Sequence, residues 1–327
     1  MKPSLPRRQF LRLAATAAAL PAASRIAHAQ VYPDRPVRIV VGIAAGGAAD
    51  IIARLVAQWL SERLGQRFIV ENRPGAFGKL AEQTVAAAAP DGYTLLYVTP
   101  PNVTDPLIHG EQKSSLIRDI APVASIVRTP GIMEVNLSVP VKTVPEFIAY
   151  AKANPRKINM ATPGPGSGPH LYGELFMMMT GVELVPVHYH GSGPALPDLI
   201  GNRVQVMFDI IVSSIEQIKA GKLRPLGVTT STRIGLLPDV PSISDYVPGY
   251  EASGWQGLGA PKKTAQQVID KLNREINVGL ADRSLKARLA SVGGQAFPGS
   301  AAEFGTFLTG ETEKWGKVIR AADIKPD

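Results

Sequence analysis

The sequence predicts an α/β protein built from two successive series of alternating strands and helices. Three observations support this fold class. Short apolar runs typical of strands alternate with longer segments of helical periodicity along most of the chain. Each series has a glycine-rich loop between a strand and a helix. The 327 residues are enough to bury one large core or two medium ones, and length alone favours two lobes.

The first series has the order strand–helix–strand–helix–strand. Apolar residues recur with a 3.6-residue period in its first helix, which Gly65 ends. This order implies a parallel sheet with right-handed crossovers. The predicted strands are 37–41, 68–72 and 93–98, and the predicted helices are 50–64 and 79–89.

The second series continues the same alternation and is followed by two long amphipathic helices. A glycine-rich run at 163–168 separates one of its strands from the next helix. The predicted strands are 131–135, 158–161, 183–189, 204–208 and 224–228, and the predicted helices are 144–153, 170–180, 194–200, 213–220, 264–281 and 301–321.

The two glycine-rich loops, 42–47 and 163–168, each follow a strand and precede a helix. In open α/β sheets, ligands bind at the carboxyl ends of the strands. The N-terminus of a helix there offers unpaired N–H groups and the positive end of the helix dipole. The loops therefore predict a cleft that holds an anion such as a carboxylate from two sides.

The first 29 residues have the three parts of an export signal. Arg7 and Arg8 form a twin-arginine n-region, the stretch 13–23 is apolar, and 27–29 is a small-x-small cleavage site. The apolar stretch is shorter than the ~20 residues that span a bilayer. We therefore expect export to the periplasm, cleavage after Ala29 and a soluble mature protein. A Sec-type signal and an uncleaved membrane anchor are the alternatives.

Removing this segment changes the charge of the chain. The whole chain carries 35 Lys and Arg against 27 Asp and Glu, a net charge of +8. Residues 1–29 hold five basic residues and no acidic one, so the remainder has 30 against 27, a net charge of +3. That excess is too small to indicate nucleic-acid binding, and it suits anionic small molecules.

The chain has no cysteine, which excludes disulfides, thiolate metal sites and cysteine nucleophiles. His188 and His190 form an H-x-H pair on one strand face, but the chain has no third histidine clustered with them. A structural or cleft-edge role is favoured over a metal site. Ser167 has no G-x-S-x-G frame, so anion binding is favoured over a nucleophile. We expect no cofactor, no metal and no catalysis.

Three polar residues at the ends of elements have two interpretations each. Asp50 opens the first helix as an N-cap or as a ligand contact. His170, at the start of another helix, is a donor to the ligand or a packed, capping residue. Asp209, at the end of a strand, lines the cleft or holds the start of a neighbouring helix.

A set of short motifs follows in a specific order along nearly 300 residues. The motifs are YPDRPV at 32–37, GGAAD at 46–50, VENRPGA at 70–76, APDGYTLL at 89–96, GSGPH at 166–170, YHGSGPA at 189–195 and VMFD at 206–209. In this order they resemble the periplasmic receptors of tripartite tricarboxylate transporters, also called Bug receptors. The resemblance covers essentially all of the chain after the export signal.

This resemblance implies a two-lobed periplasmic binding protein of the Venus-flytrap type, type II-like, with a ligand cleft between the lobes. The implied division is lobe 1 at 30–132, lobe 2 at 133–250 and a return to lobe 1 at 251–327. The family's ligands are mostly carboxylates, held by main-chain amides of both glycine-rich loops. The binding residues carried over by position are Ile43, Ala44, Ala45, Gly46, Gly47, Ala48, Asp50, Thr99, Pro101, Asn102, Gly166, Ser167, Gly168, His170, Tyr189 and Asp209.

The chain departs from the family pattern within these segments. Ala49 replaces the usual threonine or serine before the loop aspartate, and Ile43 stands where an aromatic residue is common. The stretch 99–102 is stiffer than usual because it contains two prolines. These departures favour a monocarboxylate with an apolar or aromatic body over a citrate-like ligand.

The expected function is an extracytoplasmic receptor that captures a small carboxylate and delivers it to a tripartite tricarboxylate-type membrane permease. We expect a monomer whose partners are this ligand and the permease subunits, without nucleic acid. A ligand sensor for a membrane signalling protein has the same sequence features and stays open. A periplasmic α/β hydrolase is disfavoured, because the sequence offers no evident pair of nucleophile and base.

Overall fold

The computed structural model describes residues 32–75, 78–110 and 115–325. The predicted export signal at 1–29 and its cleavage site after Ala29 lie outside the described residues. The fold presented below is that of the unit that begins at Arg35. Within the described ranges, no helix combines the length and the apolarity that crossing a bilayer requires.

Strands and helices alternate along this unit as the sequence predicts, with local signals at many of the ends. Gly65 ends the first helix in the left-handed conformation, with a φ of 70°. The strands are β1 (Val37–Val41), β2 (Phe68–Asn72), β3 (Thr94–Val98), β4 (Ile120–Asn136), β5 (Asn159–Thr162), β6 (Val185–His188), β7 (Val206–Ile210), β8 (Leu223–Val228), β9 (Ser253–Pro261) and β10 (Gln295–Ala296). The helices are α1 (Ala48–Leu64), α2 (Lys79–Ala86), α3 (Pro101–Ile108), α4 (Ser115–Asp119), α5 (Val144–Ala153), α6 (Gly168–Thr180), α7 (Ser192–Ile200), α8 (Ile211–Lys219), α9 (Gln266–Ala281), α10 (Arg283–Ser291) and α11 (Ala301–Ala321).

The first sheet joins the strands of the first series to later ones. β1 pairs in parallel with β2 and β3, which confirms the predicted parallel sheet. β9 pairs antiparallel with β3 and with the first part of β4, and β10 also pairs with β4. The strand order is β2-β1-β3-β9-β4-β10.

The second sheet contains the strands of the second series. β5 pairs in parallel with β6 and β7, while β7 and β8 both pair antiparallel with the last part of β4. The strand order is β6-β5-β7-β4-β8. The carboxyl ends of β5, β6 and β7 therefore meet at one edge, where open α/β sheets bind their ligands.

One long strand connects the two sheets. β4 pairs with β9 through Pro130 and with β7 from Gly131 onward. A Cβ atom on Gly131 would lie 2.6 Å from Thr229 Oγ1, so only glycine fits at this crossing. The prediction of a strand limited to 131–135 is too short. The strand has 17 residues, from Ile120 to Asn136. Its first part is hidden in the sequence because Pro122 and Pro130 interrupt the strand pattern.

The predicted lobe boundaries fall near the two crossings between the sheets. β4 changes its partner strand after Pro130, and the chain re-enters the first sheet at Ser253, where β9 begins. The boundaries expected after residues 132 and 250 stay predictions.

The C-terminal helix contacts the cores of both sheets. Phe304 and Leu308 of α11 pack with Trp255 in the core of the first sheet. Trp315 and Val318, further along the same helix, pack in the core of the second sheet. The helix therefore links the two sheets, in addition to returning to the first.

Several elements have no counterpart in the sequence prediction, and α3 and β9 matter most for the site. α3 begins at Pro101, a position where proline suits the first turn of a helix, and Pro106 inside it hides the helical pattern. β9 contains Gly254, Gly257 and Gly259, which lower its strand propensity. In both elements, tertiary contacts decide the structure against the local signal.

Candidate functional site

A cavity of about 1070 Å³ lies at the carboxyl ends of the parallel strands of the second sheet. It is lined by the loops that follow β5 and β6 and by the junction of β7 with α8. Residues of α3, together with Trp315 and Lys325, also line it. The cavity therefore occupies the position at which this class of sheet binds ligands.

The first turns of three helices border this cavity. Gly168 of α6, Ser192 of α7 and Ser213 of α8 are among its lining residues. The first N–H groups of a helix have no intrahelical acceptor, and the helix dipole adds positive potential there. α3 also borders the cavity, but Pro101 at its first position has no N–H to offer. The side formed by the second sheet is thus suited to an anion.

The side chains around the cavity carry both signs of charge. Asp105 and His109 lie 3.4 Å apart, and Asp209 is fully buried. His190 and Lys325 are exposed. The preference for an anion therefore rests on main-chain dipoles rather than on a cluster of cationic side chains.

The loop between β5 and α6 is fixed by its own side chains. Ser167 Oγ donates to Gly164 O at 2.7 Å and accepts the His170 N–H at 3.4 Å, which caps α6. His170 Nδ1 accepts the Gly166 N–H at 2.9 Å, and Nε2 lies 3.2 Å from Glu174 Oε1. His170 is 4% exposed and is not among the lining residues of the cavity. These contacts correspond to the interpretation of His170 as a packed, capping residue.

Gly166 marks the contact between this loop and α3. Its φ is +66°, and a Cβ atom there would lie 2.5 Å from Ile108 Cδ1. Glycine is therefore favoured by the backbone conformation, and a larger residue would also displace the end of the Ile108 side chain. The predicted residues Gly166, Ser167 and Gly168 all line the cavity, together with Pro101 of α3.

The end of β6 brings Tyr189 and the H-x-H pair to the same cavity. The Tyr189 hydroxyl donates to Asp198 Oδ2 at 2.9 Å, so its ring rather than its hydroxyl is available to a ligand. His188 Nδ1 lies 2.6 Å from Thr162 Oγ1, and His190 is exposed. Among the described residues, no group of three or more His, Asp or Glu side chains is arranged to hold a metal ion.

Asp209 connects the starts of two helices. It is 0% exposed, and its Oδ1 accepts the Ser192 hydroxyl at 2.7 Å and the Ile210 N–H at 2.8 Å. Burial raises the pKa of Asp209 to about 6, although these two hydrogen bonds act in the opposite direction. Asp209 therefore fixes the N-termini of α7 and α8 and also lines the cavity, so both predicted interpretations describe it.

The first glycine-rich loop is not among the lining residues of this cavity. Its residues 44–48 are exposed, and Ile43 is half-buried. α1 begins at Ala48 with Gly47 in the N-cap position, so the interpretation of Asp50 as an N-cap is wrong. The ligand contacts expected at 43–48 and at Asp50 stay predictions.

The Asp50 carboxylate instead holds the loop together from inside the helix. Its Oδ2 accepts the Gly46 N–H and Arg54 Nε, both at 2.9 Å, and its Oδ1 accepts Asn72 Nδ2 at 2.8 Å. Burial raises the pKa of Asp50, but the hydrogen bonds from Arg54, Gly46 and Asn72 together hold it below its usual value. Because Asn72 Nδ2 also donates to Ile43 O at 3.1 Å, the carboxylate determines the shape of the whole loop.

The turn after β3 is fixed in a similar way. Asn102 Oδ1 accepts the Thr99 N–H at 2.9 Å, and its Nδ2 donates to Glu82 Oε2 at 3.2 Å. Asn102 is 4% exposed, and neither it nor Thr99 is among the lining residues of the cavity. Both residues shape the start of α3, which in turn places Pro101 and Ile108 at the cavity.

Two aromatic residues that sequence reasoning missed also line the cavity. The rings of Tyr172 and Trp315 lie 6.1 Å apart, and a Cβ atom on Gly168 would lie 3.1 Å from the Tyr172 hydroxyl oxygen. Burial, and then the nearby carboxylates, raise the pKa of Tyr172 well above its usual value. Tyr172 is four residues after Gly168 on one helix face, a spacing that the sequence contains. Trp315 is distant in sequence, and no local pattern indicates it.

Comparison with known proteins gives consistent matches over most of the chain. The model of the tripartite tricarboxylate transporter family receptor matches residues 52–324. The chain is 38% identical over 301 residues to a UPF0065 protein of Bordetella bronchiseptica, and the match covers 92% of this chain and 89% of that protein.

Two solved structures are similar over nearly the whole fold. Rpa4515 of R. palustris with adipate has a TM-score of 0.71 and 37% identity, covering 90% of this chain and 100% of that chain. MatC from Rhodopseudomonas palustris with bound malate has a TM-score of 0.67 and 29% identity, covering 88% and 100%. These similarities agree with a two-lobed binding-protein fold. The chain therefore belongs to the tripartite tricarboxylate transporter receptor family.

Proposed function

We propose that this protein is a periplasmic receptor that binds a small organic carboxylate in the cavity and delivers it to a membrane permease of the tripartite tricarboxylate type. The observation that carries the proposal is the meeting of the α6, α7 and α8 N-termini at one cavity. A carboxylate placed there accepts main-chain N–H groups and is stabilised by helix dipoles, so it needs no cationic side chain.

Family membership supports this function. The matching family consists of receptors of tripartite tricarboxylate transporters, and two similar proteins are described with adipate and with malate, both dicarboxylates. The export signal predicted at 1–29 agrees with a periplasmic location. Delivery to a permease is inferred from membership of the family alone.

The ligand class that we favour is a carboxylate with an apolar body. Tyr172, Trp315 and Ile108 place aromatic and aliphatic surface beside the helix N-termini. Two of the polar groups nearby are already engaged, because the Tyr189 hydroxyl is bonded to Asp198 and the Ser192 hydroxyl to Asp209. A hydroxylated, highly charged acid such as citrate finds few free side-chain donors here.

We propose that the first glycine-rich loop, 42–47, contacts the ligand from the side opposite to the cavity. Its exposed main chain at 44–48 is held by the Asp50 carboxylate and lies on the first sheet, whereas the cavity belongs mainly to the second. Closure of two lobes around the crossing at Gly131 would bring this loop to the ligand. The residues Ile43 to Asp50, with Thr99 and Asn102, are proposed ligand contacts of that closed state.

A thermal-unfolding screen tests this function. Adipate, malate, benzoate and citrate are compared with adipamide, which keeps the carbon chain of adipate but lacks its charges. We expect at least one acid to raise the melting temperature, because a ligand present at 100 times its Kd stabilises the folded state by ~2.7 kcal/mol. Adipamide is expected to have no effect.

A pair of variants assigns the binding to the cavity. Ser213→Trp fills the cavity at the first turn of α8, and Ser284→Trp puts the same side chain on the exposed first turn of α10. We expect the first variant to lose the shift and the second to keep it. If no acid stabilises the wild-type protein, or if Ser213→Trp keeps the full shift, the proposed site is wrong.

A further inference from the structure

Glu134 is a fully buried carboxyl group on an apolar face of the second sheet. Met133 and Val135 of β4 pack in one core, while Ile132 packs in the core on the opposite face. Because side chains alternate along a strand, Glu134 shares the face of Ile132. Glu134 is 0% exposed, and neither of its carboxyl oxygens has a hydrogen-bond partner. An ionised carboxylate without partners is strongly unfavourable in such a place.

Asp209 is the neighbour of Glu134 on the same face. Ile132 lies opposite Asp209, and Glu134 lies opposite Met207, so the two acids are diagonal neighbours on adjacent strands. Such pairs have Cα atoms about 7–8 Å apart, within reach of long side chains. The Oδ1 atom of Asp209 is engaged by Ser192 and Ile210, whereas its buried Oδ2 has no partner.

Ser214 adds a third polar group from a different element. It lies on α8, is 0% exposed, and its hydroxyl lies beside the Glu134 carboxyl without forming a hydrogen bond of good geometry. Four of the six buried side-chain polar atoms without partners in the described residues belong to Glu134, Asp209 and Ser214. Buried polar groups without hydrogen bonds are rarely concentrated in this way in a folded protein. The cluster therefore needs a bound proton or ion to satisfy these atoms.

The surroundings of the cluster provide no compensating cation. Among the described residues, neither Glu134 nor Asp209 forms an ion pair with a Lys, Arg or His side chain. Glu216 and Lys219 of α8 are exposed and pair with each other at 3.2 Å. The other titratable groups on the surrounding elements include His170, Tyr172 and Glu174 on α6, Asp198 on α7, Lys222 and Arg224 at β8, and Arg233 and Asp239 in the loop after β8.

We propose that Glu134, Asp209 and Ser214 form a buried proton-binding site, in which Glu134 is the protonated acid and donates to the free carboxylate oxygen of Asp209. One proton removes the charge of Glu134 and joins one of its oxygens to Asp209 Oδ2, while the Ser214 hydroxyl is the donor beside the Glu134 carboxyl. Asp209 then stays an acceptor for Ser192 and Ile210, which fixes the N-termini of α7 and α8.

The site lies directly behind the proposed anion-binding helices. Loss of the proton places a second negative charge next to Asp209, and that charge opposes an anion at the α7 and α8 N-termini. We therefore expect the receptor to bind its carboxylate more tightly when the site is protonated. This consequence rests on the proposed function, whereas the proton site itself does not.

The raised pKa of Glu134 gives the pH range over which the proton site changes the stability of the fold. Burial, and then the charge of Asp209, raise the pKa of Glu134 from 4.5 to about 8. A carboxyl whose pKa is higher in the folded state stabilises the fold below its unfolded pKa. That stabilisation is lost as the pH rises through the folded pKa. For Glu134 the loss falls between pH 4.5 and pH 8.

Urea unfolding of the protein without ligand tests the proton site. Between about pH 7 and about pH 8, where most of Asp209 is ionised and much of Glu134 is still protonated, we expect the unfolding equilibrium constant of the wild-type protein to rise several-fold per pH unit. Glu134→Gln should flatten this dependence, since glutamine keeps the shape and the neutral charge of the protonated acid. Glu216→Gln, on the exposed face of α8, should keep the wild-type slope.

The infrared spectrum of the wild-type protein provides a test without any substitution. We expect a carboxylic-acid C=O band at neutral pH that disappears on titration to alkaline pH. The proposal is overturned if this band is absent at neutral pH, or if Glu134→Gln keeps the wild-type pH dependence of unfolding. It is also overturned if replacing sodium by choline destabilises the wild-type protein at neutral pH, because the site is then neutralised by a bound cation.

Titration with adipate at about pH 6 and about pH 9 tests the coupling to ligand binding. We expect tighter binding at the lower pH in the wild-type protein and a smaller difference in Glu134→Gln. Equal affinity at both pH values in the wild-type protein contradicts the coupling. If adipate binds at neither pH, the proposed ligand is wrong, while the unfolding and infrared measurements still decide the proton site.

Discussion

At the residue scale, the shape of the cavity depends on side chains that fix the main chain. Ser167 and His170 brace the loop after β5, Asp209 braces the starts of α7 and α8, and Asp50 braces the loop before α1. A site that uses main-chain N–H groups needs such bracing, because its donors have no side-chain freedom with which to adjust. In the proposed site, the hydrogen bonds that these polar residues make within the loops position the main-chain binding groups.

Gly166→Ala tests the contact between the loop after β5 and α3. The left-handed φ of +66° and the Ile108 Cδ1 atom 2.5 Å from the new Cβ both oppose alanine. We expect a loss of about 1–3 kcal/mol in the free energy of unfolding, measured in urea. Ile108→Ala in the same chain should recover the steric part.

Gly193→Ala is the matched control. Gly193 lies in the first turn of α7, has no positive φ, and has nothing within 4 Å of its would-be Cβ. Alanine there should leave stability unchanged or raise it by up to ~1 kcal/mol. Equal destabilisation by both substitutions would show that the Ile108 contact does not constrain the loop.

Asp50→Asn tests the bracing of the first loop. The carboxylate accepts three hydrogen bonds on two oxygens, and asparagine, with one amide oxygen and no charge, cannot accept all of them, so we expect a loss of about 1–3 kcal/mol at neutral pH. Because the folded-state pKa is depressed, this stabilisation is present above 3.8 and is lost as the pH falls through the folded pKa.

Urea unfolding from neutral to acidic pH measures this effect. The difference between the wild-type protein and Asp50→Asn should shrink as the pH falls below 3.8. Asp239→Asn, at an exposed position, should match the wild-type protein throughout. A difference that is constant with pH would mean that the charge of Asp50 contributes nothing.

At the element scale, α11 is the part that joins the two sheets through a polar contact. Glu311 Oε2 accepts the indole N–H of Trp255, in β9, and that of Trp315, beside the cavity, both at 2.9 Å. Glu311 is buried and also pairs with Lys314. The Glu311 carboxylate thus connects β9, in the first sheet, to Trp315 in the lining of the proposed site.

Glu311→Ala tests this tie. The substitution leaves two buried indole N–H groups without an acceptor, and each such group costs about 1–3 kcal/mol. We expect a total loss of about 2–5 kcal/mol in urea unfolding, and a red shift of tryptophan fluorescence if Trp315 becomes solvated. Glu313→Ala, exposed on the same helix, should change stability by less than about 0.5 kcal/mol. A loss no larger than that of Glu313→Ala would contradict the tie.

At the scale of the whole molecule, the periodicity of the sequence predicts the two parallel strand series and the position of the second glycine-rich loop. The signal is strong because β1 and β7 are buried apolar runs followed by turn residues. The sequence predicts only residues 131–135 of the long strand β4, because its prolines have local preferences that the pairing with β9 overrides. Short-range patterns do not contain that information.

In the candidate site too, residues next to predicted strands are predictable from the sequence, whereas residues brought in by long-range packing are not. Gly166, Ser167, Gly168 and Asp209 follow predicted strands, and the structure brings them to one cavity. Trp315 reaches that cavity only through the packing of α11 across both sheets, which no spacing in the sequence indicates. The sequence predicts Glu134 as part of a strand, but its burial beside Asp209 and Ser214 depends on the neighbouring strand and on α8.

The central claim is that a carboxylate binds to the main-chain N–H groups at the starts of α6, α7 and α8. A crystal structure with the acid that gives the largest melting shift tests it most directly. We predict carboxylate oxygens within hydrogen-bond distance of the N–H groups of Gly168, of residues 192–193 or of residues 211–213, with the rest of the ligand against Tyr172 and Trp315. An acid bound outside this cavity, or held there by side chains alone, would contradict the account.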